Sequence, residues 1–334
     1  MASAGPAEAL ERRGQARVLS RSLSGYLCGT HSGALGRRRG DRLGVEEACA
    51  AHRALRVPAG SATLTLANRW QPGAEAQDLA RQLSALLDHR AVVDLLVFGS
   101  HAGGAPTGFS DFDAVLVLGD RTAEDPATLS SLRPRVLATQ RAVLAHQPMQ
   151  HHGFELATPA LLGDASAALE LPREALERAQ SLHGNPIRVG FPDAADHAAR
   201  GLRSIARQLC ALPAWPNHPW KLHGTLSMFE LLPALFLQSR GVAVSKRDSF
   251  DLARAHFSPG VWPYDVLAQV REDWPRRRNR RLELAATAAR NPWLAVAGWT
   301  RLPSAWPPSV RPLLPARSLR ALQDLARRMA EAAP

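Results

Sequence analysis

Two aspartates one residue apart, Asp111 and Asp113, are the side chains in this sequence whose type and spacing most directly suggest chemistry. On an extended strand side chains alternate faces, so both carboxylates point one way while Phe112 and Ala114 point the other. Two carboxylates that close cannot both stay ionised in a dry cleft unless a cation lies between them. Magnesium suits them, because it takes oxygen ligands and keeps phosphate oxygens and water around itself. Upstream, the apolar run 92–98 ends in Gly99-Ser100. Glycine allows close backbone approach, and Ser100 offers a hydroxyl and an N–H; a short helix starting there is a phosphate site. Read as strand, turn and strand, this stretch brings the Gly-Ser turn and the Asp pair to one end of a sheet, a place for a nucleoside triphosphate and divalent metals. Glu155, flanked by Phe154 and Leu156, is the candidate third carboxylate, able to help hold a second metal and to take a proton. By the same alternation His151 and Gly153 share its face, while His152, Phe154 and Leu156 face the other layer. Both histidines read as structural, since no further Cys or His completes a soft ligand set.

These groups need a scaffold. Leu79, Leu83, Leu86 and Leu87 recur at helical spacing over 74–90, which predicts an amphipathic helix before the first strand. A second helix is expected over 130–146, capped by Ser130 or Ser131 with Pro134 in its first turn, and a third strand over 150–158. The order helix, strand, turn, strand, helix, strand makes a small α/β unit of ordinary domain size. From about residue 165 onward every periodic segment reads as helix: 194–212, 221–240 (ending at Gly241), 248–257, 264–274 and 281–299. A Pro-rich connector, 303–315, leads to a last amphipathic helix, 317–332. The expected division is a basic disordered extension over 1–60, a catalytic unit over 61–165, a helical domain over 166–300, and the connector with its helix over 301–334.

The pattern Gly99-Ser100, then Gly108-Phe109-Ser110-Asp111-Phe112-Asp113, then an apolar–carboxylate–apolar strand at Glu155 resembles the nucleotidyltransferase superfamily of DNA polymerase beta. The helical domain that follows makes the chain similar to the minimal and aminoglycoside-type members. The resemblance implies an α+β fold: a small mixed-sheet nucleotidyltransferase domain followed by an all-helical, acceptor-binding domain. It implies that Asp111 and Asp113, with Glu155, ligate Mg2+, two ions in the full reaction. It implies that Gly99 and Ser100 contact the triphosphate, joined by Lys246 from the helical domain. The activity implied is transfer of a nucleoside monophosphate from a nucleoside triphosphate to a small-molecule hydroxyl or amine, with release of pyrophosphate. Two other functions stay open: a regulatory enzyme that adenylylates another protein, and a non-catalytic nucleotide-binding module.

Composition bounds the rest. A chain of 334 residues, 46% hydrophobic and 21% charged, builds a globular core. The net charge of +11 suits an anionic partner without choosing among nucleotide, nucleic acid and membrane surface. The basic residues are nearly all arginine; the lysines are Lys221 and Lys246. The run Arg276-Arg277-Arg278-Asn279-Arg280-Arg281 lacks interleaved aromatics and reads as a solvated face rather than a nucleic-acid surface. Cys28, Cys49 and Cys210 are widely spaced, which fits a reducing, cytoplasmic setting. No apolar run approaches the roughly 20 residues that span a bilayer. Residues 1–60, with Arg37-Arg38-Arg39, read as a disordered tail, with an organelle transit peptide as the alternative.

Overall fold

The structure, a computed structural model, describes residues 6–28, 46, 49–50, 52, 63–104, 106–169, 171, 173–191, 194–257, 262–275, 279–302 and 304–334. Arg37-Arg38-Arg39 and Arg276-Arg277-Arg278 lie outside the described residues. In chain order the elements are α1 (Pro6–Cys28), β1 (Thr63–Leu66), α2 (Gln77–Leu87), β2 (Val92–Phe98), α3 (Gly99–Ala102), β3 (Asp113–Leu118), α4 (Asp120–Ala123), α5 (Pro126–His146), β4 (Glu155–Ala157), α6 (Pro159–Leu162), α7 (Ala165–Leu169), α8 (Arg173–Glu177), β5 (Gln180–Ser181) and β6 (Ile187–Gly190). Then come α9 (Ala194–Cys210), α10 (Pro219–Ser239), α11 (Asp248–Arg254), α12 (Tyr264–Asp273), α13 (Arg280–Ala288), α14 (Pro292–Trp299) and α15 (Ala316–Ala332). The protein is therefore mixed α/β, with small mixed sheets and many helices.

The central sheet has the order β4-β3-β2-β5. β2 and β3 run antiparallel, with Phe98 opposite Asp113, while β3 and β4 run parallel, with Val115 opposite Glu155. Both faces are covered, which is why β3 reads as a continuous apolar run. Leu95, Val97, Ala114, Leu116 and Leu156 pack under α2 and α5. Leu96, Phe98, Val115, Val117 and Ala157 pack against Leu161, Leu162 and Val189 on the other side. β1 and β6 form a separate antiparallel pair.

Two expectations are corrected here. The segment after residue 165 is not purely helical, since β5 joins the sheet edge and β6 pairs with β1. Strands of two and four residues are too short to leave a readable alternation. Asp94 anchors β5: its carboxylate, wholly buried, accepts from Ser181 Oγ at 2.5 Å and from the backbone N–H of His183 at 3.0 Å. Likewise the expected 281–299 helix is two helices, because the Asn291 side chain caps α14 by accepting from the Trp293 N–H, with Pro292 in the first turn.

The N-terminal expectation also fails over 6–28. α1 lies along β4, the outer strand of the sheet, and completes its edge with side chains. Ser20 Oγ donates to the Leu156 carbonyl at 2.6 Å, Ser24 Oγ accepts from the Leu156 N–H at 3.0 Å, and Cys28 Sγ donates to the Phe154 carbonyl at 3.5 Å. Spacing of four residues puts these three on one stripe of the helix. Burial raises the Cys28 pKa, so the thiol stays protonated and able to donate. The stripe is polar and faces inward, which blurs the apolar periodicity that marks a packed helix. It also closes an edge that would otherwise offer unpaired backbone groups to another chain. Ser24→Ala should cost about 1–3 kcal/mol, the penalty of a buried N–H left without a partner, when stability is measured by chemical denaturation. Ser84→Ala, on an exposed face, should stay within about 0.5 kcal/mol of the parent. Equal stability of the Ser24→Ala protein and the parent would refute this account of the edge.

The helical half is a bundle of α9, α10 and α15, with α11 and α12 packed on α10. Its core includes Leu202, Leu209, Leu226, Phe229, Leu322 and Met329. α13 and α14 turn back onto α5, where Arg141 donates to the carbonyls of Ala286, Ala289 and Arg290. Among the described residues no helix is long and apolar enough to cross a membrane.

Candidate metal centre

The β2–β3 register sets Gly99 beside the first residue of β3. Gly99 has φ +69°, and a Cβ built on it would lie 2.6 Å from Asp113 Oδ2. The positive φ favours glycine, and a Cβ there would have to push the Asp113 carboxylate aside. From Gly99 the chain enters the one-turn helix α3, with Ser100 half-buried at its start. The next residue, His101, is buried; its ring edges onto Phe112 at 5.2 Å, and burial draws its pKa down to about 4. A cleft of about 310 Å³ opens beside this turn, bounded by Trp70, Glu75, His101 and Gly104.

The loop before β3 is held at both ends. Thr107 and Ser110 close a turn on each other, with the Thr107 N–H donating to Ser110 Oγ at 2.8 Å and the Ser110 N–H to the Thr107 carbonyl at 3.1 Å. Between them Phe109 inserts into the core of the helical half, 5.2 Å from the Trp274 ring and with the Arg271 guanidinium over its face. Further on, the Gln150 side chain acts as a strand partner for Phe112. Its Oε1 accepts from the Phe112 N–H at 2.8 Å and its Nε2 donates to the Phe112 carbonyl at 3.1 Å. The Gln150 backbone carbonyl in turn accepts from Trp220 Nε1 on α10 at 2.9 Å. These bonds clamp segment 150–154 alongside segment 111–113.

The clamp brings histidines to the aspartates. His151 Nδ1 lies 3.0 Å from Asp111 Oδ2, His223 Nε2 of α10 lies 3.5 Å from Asp111 Oδ1, and His152 Nε2 lies 3.1 Å from Asp113 Oδ1. Two groups of potential ligands result, Asp111–Asp113–His152 and Asp111–His151–His223, each with its ligand atoms within 4.8 Å of one another. The expected convergence of Asp111 and Asp113 is therefore present, although β3 begins only at Asp113 and Asp111 precedes it. The expected orientation of the histidines is corrected. β4 starts at Glu155, so strand alternation does not govern residues 151–154, and both rings turn toward the aspartates, 4.8 Å apart and nearly perpendicular. Glu155 sits two residues along the sheet from Asp113, level with Val115, and belongs to neither group. Lys246 is engaged with Glu230 at 3.7 Å, where Arg271 also pairs at 2.7 Å. Its charge still reaches His223, whose pKa it helps to lower.

The charges follow from burial and pairing. Burial pushes the Asp111 carboxyl up, yet His151 beside it holds it well below the usual carboxylate range. Burial takes His223 down to about 4 against the pull of Asp111, which leaves it neutral near pH 7. For His152, burial is outweighed by the Asp113 carboxylate, and its pKa rises to about 10. Gln150, Phe109 and His223 are the site residues the sequence did not announce. Gln150 and Phe109 act through backbone groups and packing, and His223 lies in an apolar helix where a lone histidine reads as core. Compared with known proteins, the chain matches no family model and no curated protein.

Two outcomes test this geometry. In metal-free protein the His152–Asp113 pair should stabilise the fold fully below pH 6.5, the ordinary histidine value, and lose that contribution as pH rises through about 10. His152→Gln should flatten this alkaline limb in denaturation curves taken across that range; an unchanged limb would mean the pair is not charged. Gly99→Ala should cost at least about 1–2 kcal/mol, the left-handed penalty for a non-glycine residue, and should displace the Asp113 carboxylate. A Gly99→Ala protein with parent stability would rule out the close approach.

Proposed function

We propose that this protein is a metal-dependent nucleotidyltransferase, moving a nucleoside monophosphate from a nucleoside triphosphate to a hydroxyl or amine of a small molecule and releasing pyrophosphate. The observation that carries the reading is the meeting of three parts at one end of the sheet: the Gly99-Ser100 turn lies against the Asp113 carboxylate, and Asp111 converges on the same point. Asp111 Oδ1 is buried without a hydrogen-bond partner, and a second carboxylate beside it makes a donor set that fits an oxygen-seeking divalent cation. Mg2+ held by Asp111 and Asp113 supplies, when bound, charge neutralisation for the attacking and leaving oxygens of an in-line displacement.

The chain's own residues do the rest. In this reading the Ser100 hydroxyl and the N–H groups of its turn bind phosphate oxygens. The adjoining cleft, at about 310 Å³, is of a size that holds a small ligand. His152 commits one ring nitrogen to the Gly153 carbonyl at 2.9 Å and presents the other to Asp113. This reading therefore gives the third ligand position to His152 rather than to Glu155. α10 and α12 wall the opposite side, and there the acceptor would enter, within reach of the Lys246–Glu230–Arg271 cluster.

Incubation with ATP labelled at the α-phosphate and Mg2+, with and without libraries of hydroxyl and amine acceptors, tests the reading. Label should move to a small molecule with release of pyrophosphate. Asp113→Asn should lower transfer by more than about 100-fold, beyond the loss seen when only an outer partner of a ligand is removed, and should keep the parent fold because the Asp113 side chain is partly exposed. Undiminished transfer in that variant would overturn the assignment. Label on a protein would favour the adenylylating alternative, and triphosphate binding without transfer would leave the non-catalytic module.

A further inference from the structure

The second ligand group, Asp111–His151–His223, has a chemistry that the proposed reaction does not use. Its three side chains come from three separate segments: the loop before β3, the lead-in to β4, and α10. His223 is fully buried and the Asp111 side chain is only 10% exposed. Asp111 Oδ1, His151 Nδ1 and His223 Nδ1 are all buried, and none has a hydrogen-bond partner. His151 Nδ1 is 3.0 Å from Asp111 Oδ2. Two ligands each about 2.1 Å from one ion, at angles between 90° and tetrahedral, stand about 3.0–3.4 Å apart, and the His151–Asp111 separation falls in that range. His223 presents Nε2 to this cluster, 3.5 Å from Asp111 Oδ1, and a bound ion would take that lone pair in place of the 2.7 Å contact with the Phe109 carbonyl, with the ring proton on Nδ1. Phe109 and Trp274 pack against the His223 ring and Trp220 against His151, so the surroundings are aromatic and poor in water.

We propose that Asp111, His151 and His223 form a site for a divalent transition-metal ion of the zinc–cobalt type, separate from the oxygen-rich Asp111–Asp113 position. Two imidazoles and one carboxylate suit such an ion, whereas magnesium and calcium favour carboxylate, carbonyl and water oxygen. Because the ligands span both halves of the molecule, the ion ties α10 to the loop that carries Asp111, with the remaining coordination positions filled by water or an incoming ligand. The site shares Asp111 with the proposed nucleotidyl transfer, but its existence does not rest on that reaction.

The test uses the full chain freed of metal by a chelator, with no nucleotide present, titrated with Co2+ and followed by visible absorption. One Co2+ per chain should bind, with bands of a nitrogen-ligated ion, and should be displaced by Zn2+ but not by a 100-fold excess of Mg2+. His151→Ala should weaken Co2+ binding by more than about 100-fold, whereas Asp113→Asn should hold it within about tenfold. As a measure that does not depend on the spectrum, saturating Zn2+ should raise the unfolding temperature of the parent protein and not that of His151→Gln. Absence of a cobalt spectrum, parent-like binding in His151→Ala, or loss of binding in Asp113→Asn alone would overturn the proposal. Any of these would leave the nucleotidyl-transfer reading standing. Conversely, a protein that binds Co2+ as described yet transfers no label would sink that reading and spare this one.

Discussion

A carboxylate held out of water needs positive charge or hydrogen bonds around it, and the burial of Asp111 is the constraint on which the arrangement of this protein turns. The answering groups cannot come from its own strand, because the neighbours Ser110 and Phe112 point into other packing. The nearest comes instead from His151, which precedes β4, 3.0 Å away, and the His223 ring in the middle of α10 packs in beside it. One short loop thereby requires the sheet and the helical bundle to sit in a single relative position. Phe109 makes the same demand from the apolar side, as its ring belongs to the core of the bundle although its backbone belongs to the loop.

The supporting bonds share a theme: side chains substitute for backbone where the chain cannot supply a strand. Gln150 satisfies both backbone groups of Phe112 with one amide, so segment 150–154 runs beside segment 111–113 without forming a ladder. Ser20, Ser24 and Cys28 do the same for the outer edge of β4. In both places a buried backbone group would otherwise lack a partner, at a cost of about 1–3 kcal/mol each. These substitutions let a sheet with a three-residue outer strand serve as a rigid base for the two histidines that emerge just before it.

The electrostatics at this base are divided. His152 is drawn toward its charged form by Asp113, whereas His223, wholly enclosed, is held neutral. Two imidazoles within one small cluster thus differ in charge at neutral pH, because one is half-exposed beside a carboxylate and the other is sealed under Phe109 and Trp274. A cation arriving at either ligand group meets a different set of charges and donors.

Much of the frame was legible in the residues alone. The strand, glycine-serine turn, strand, helix and strand of the α/β unit appear in the expected order, because alternation, an apolar run and a glycine at a forced positive φ are local properties. The convergence of Asp111 and Asp113 was expected from strand alternation, but Asp111 precedes β3 and its place is set by the loop. The sequence did not disclose the partners of those aspartates: nothing local in His151, His152 or His223 says that they face carboxylates, and the separation of 72 residues between His151 and His223 is closed only by packing. Nor did it reveal that α1 finishes a sheet edge, since its inward-facing serines look like a solvated surface until the strand beside them is known. Short-range pattern determined the elements and the aspartate pair; tertiary structure alone decided which groups neutralise them, because charge compensation in a buried site depends on distance in space and not on distance along the chain.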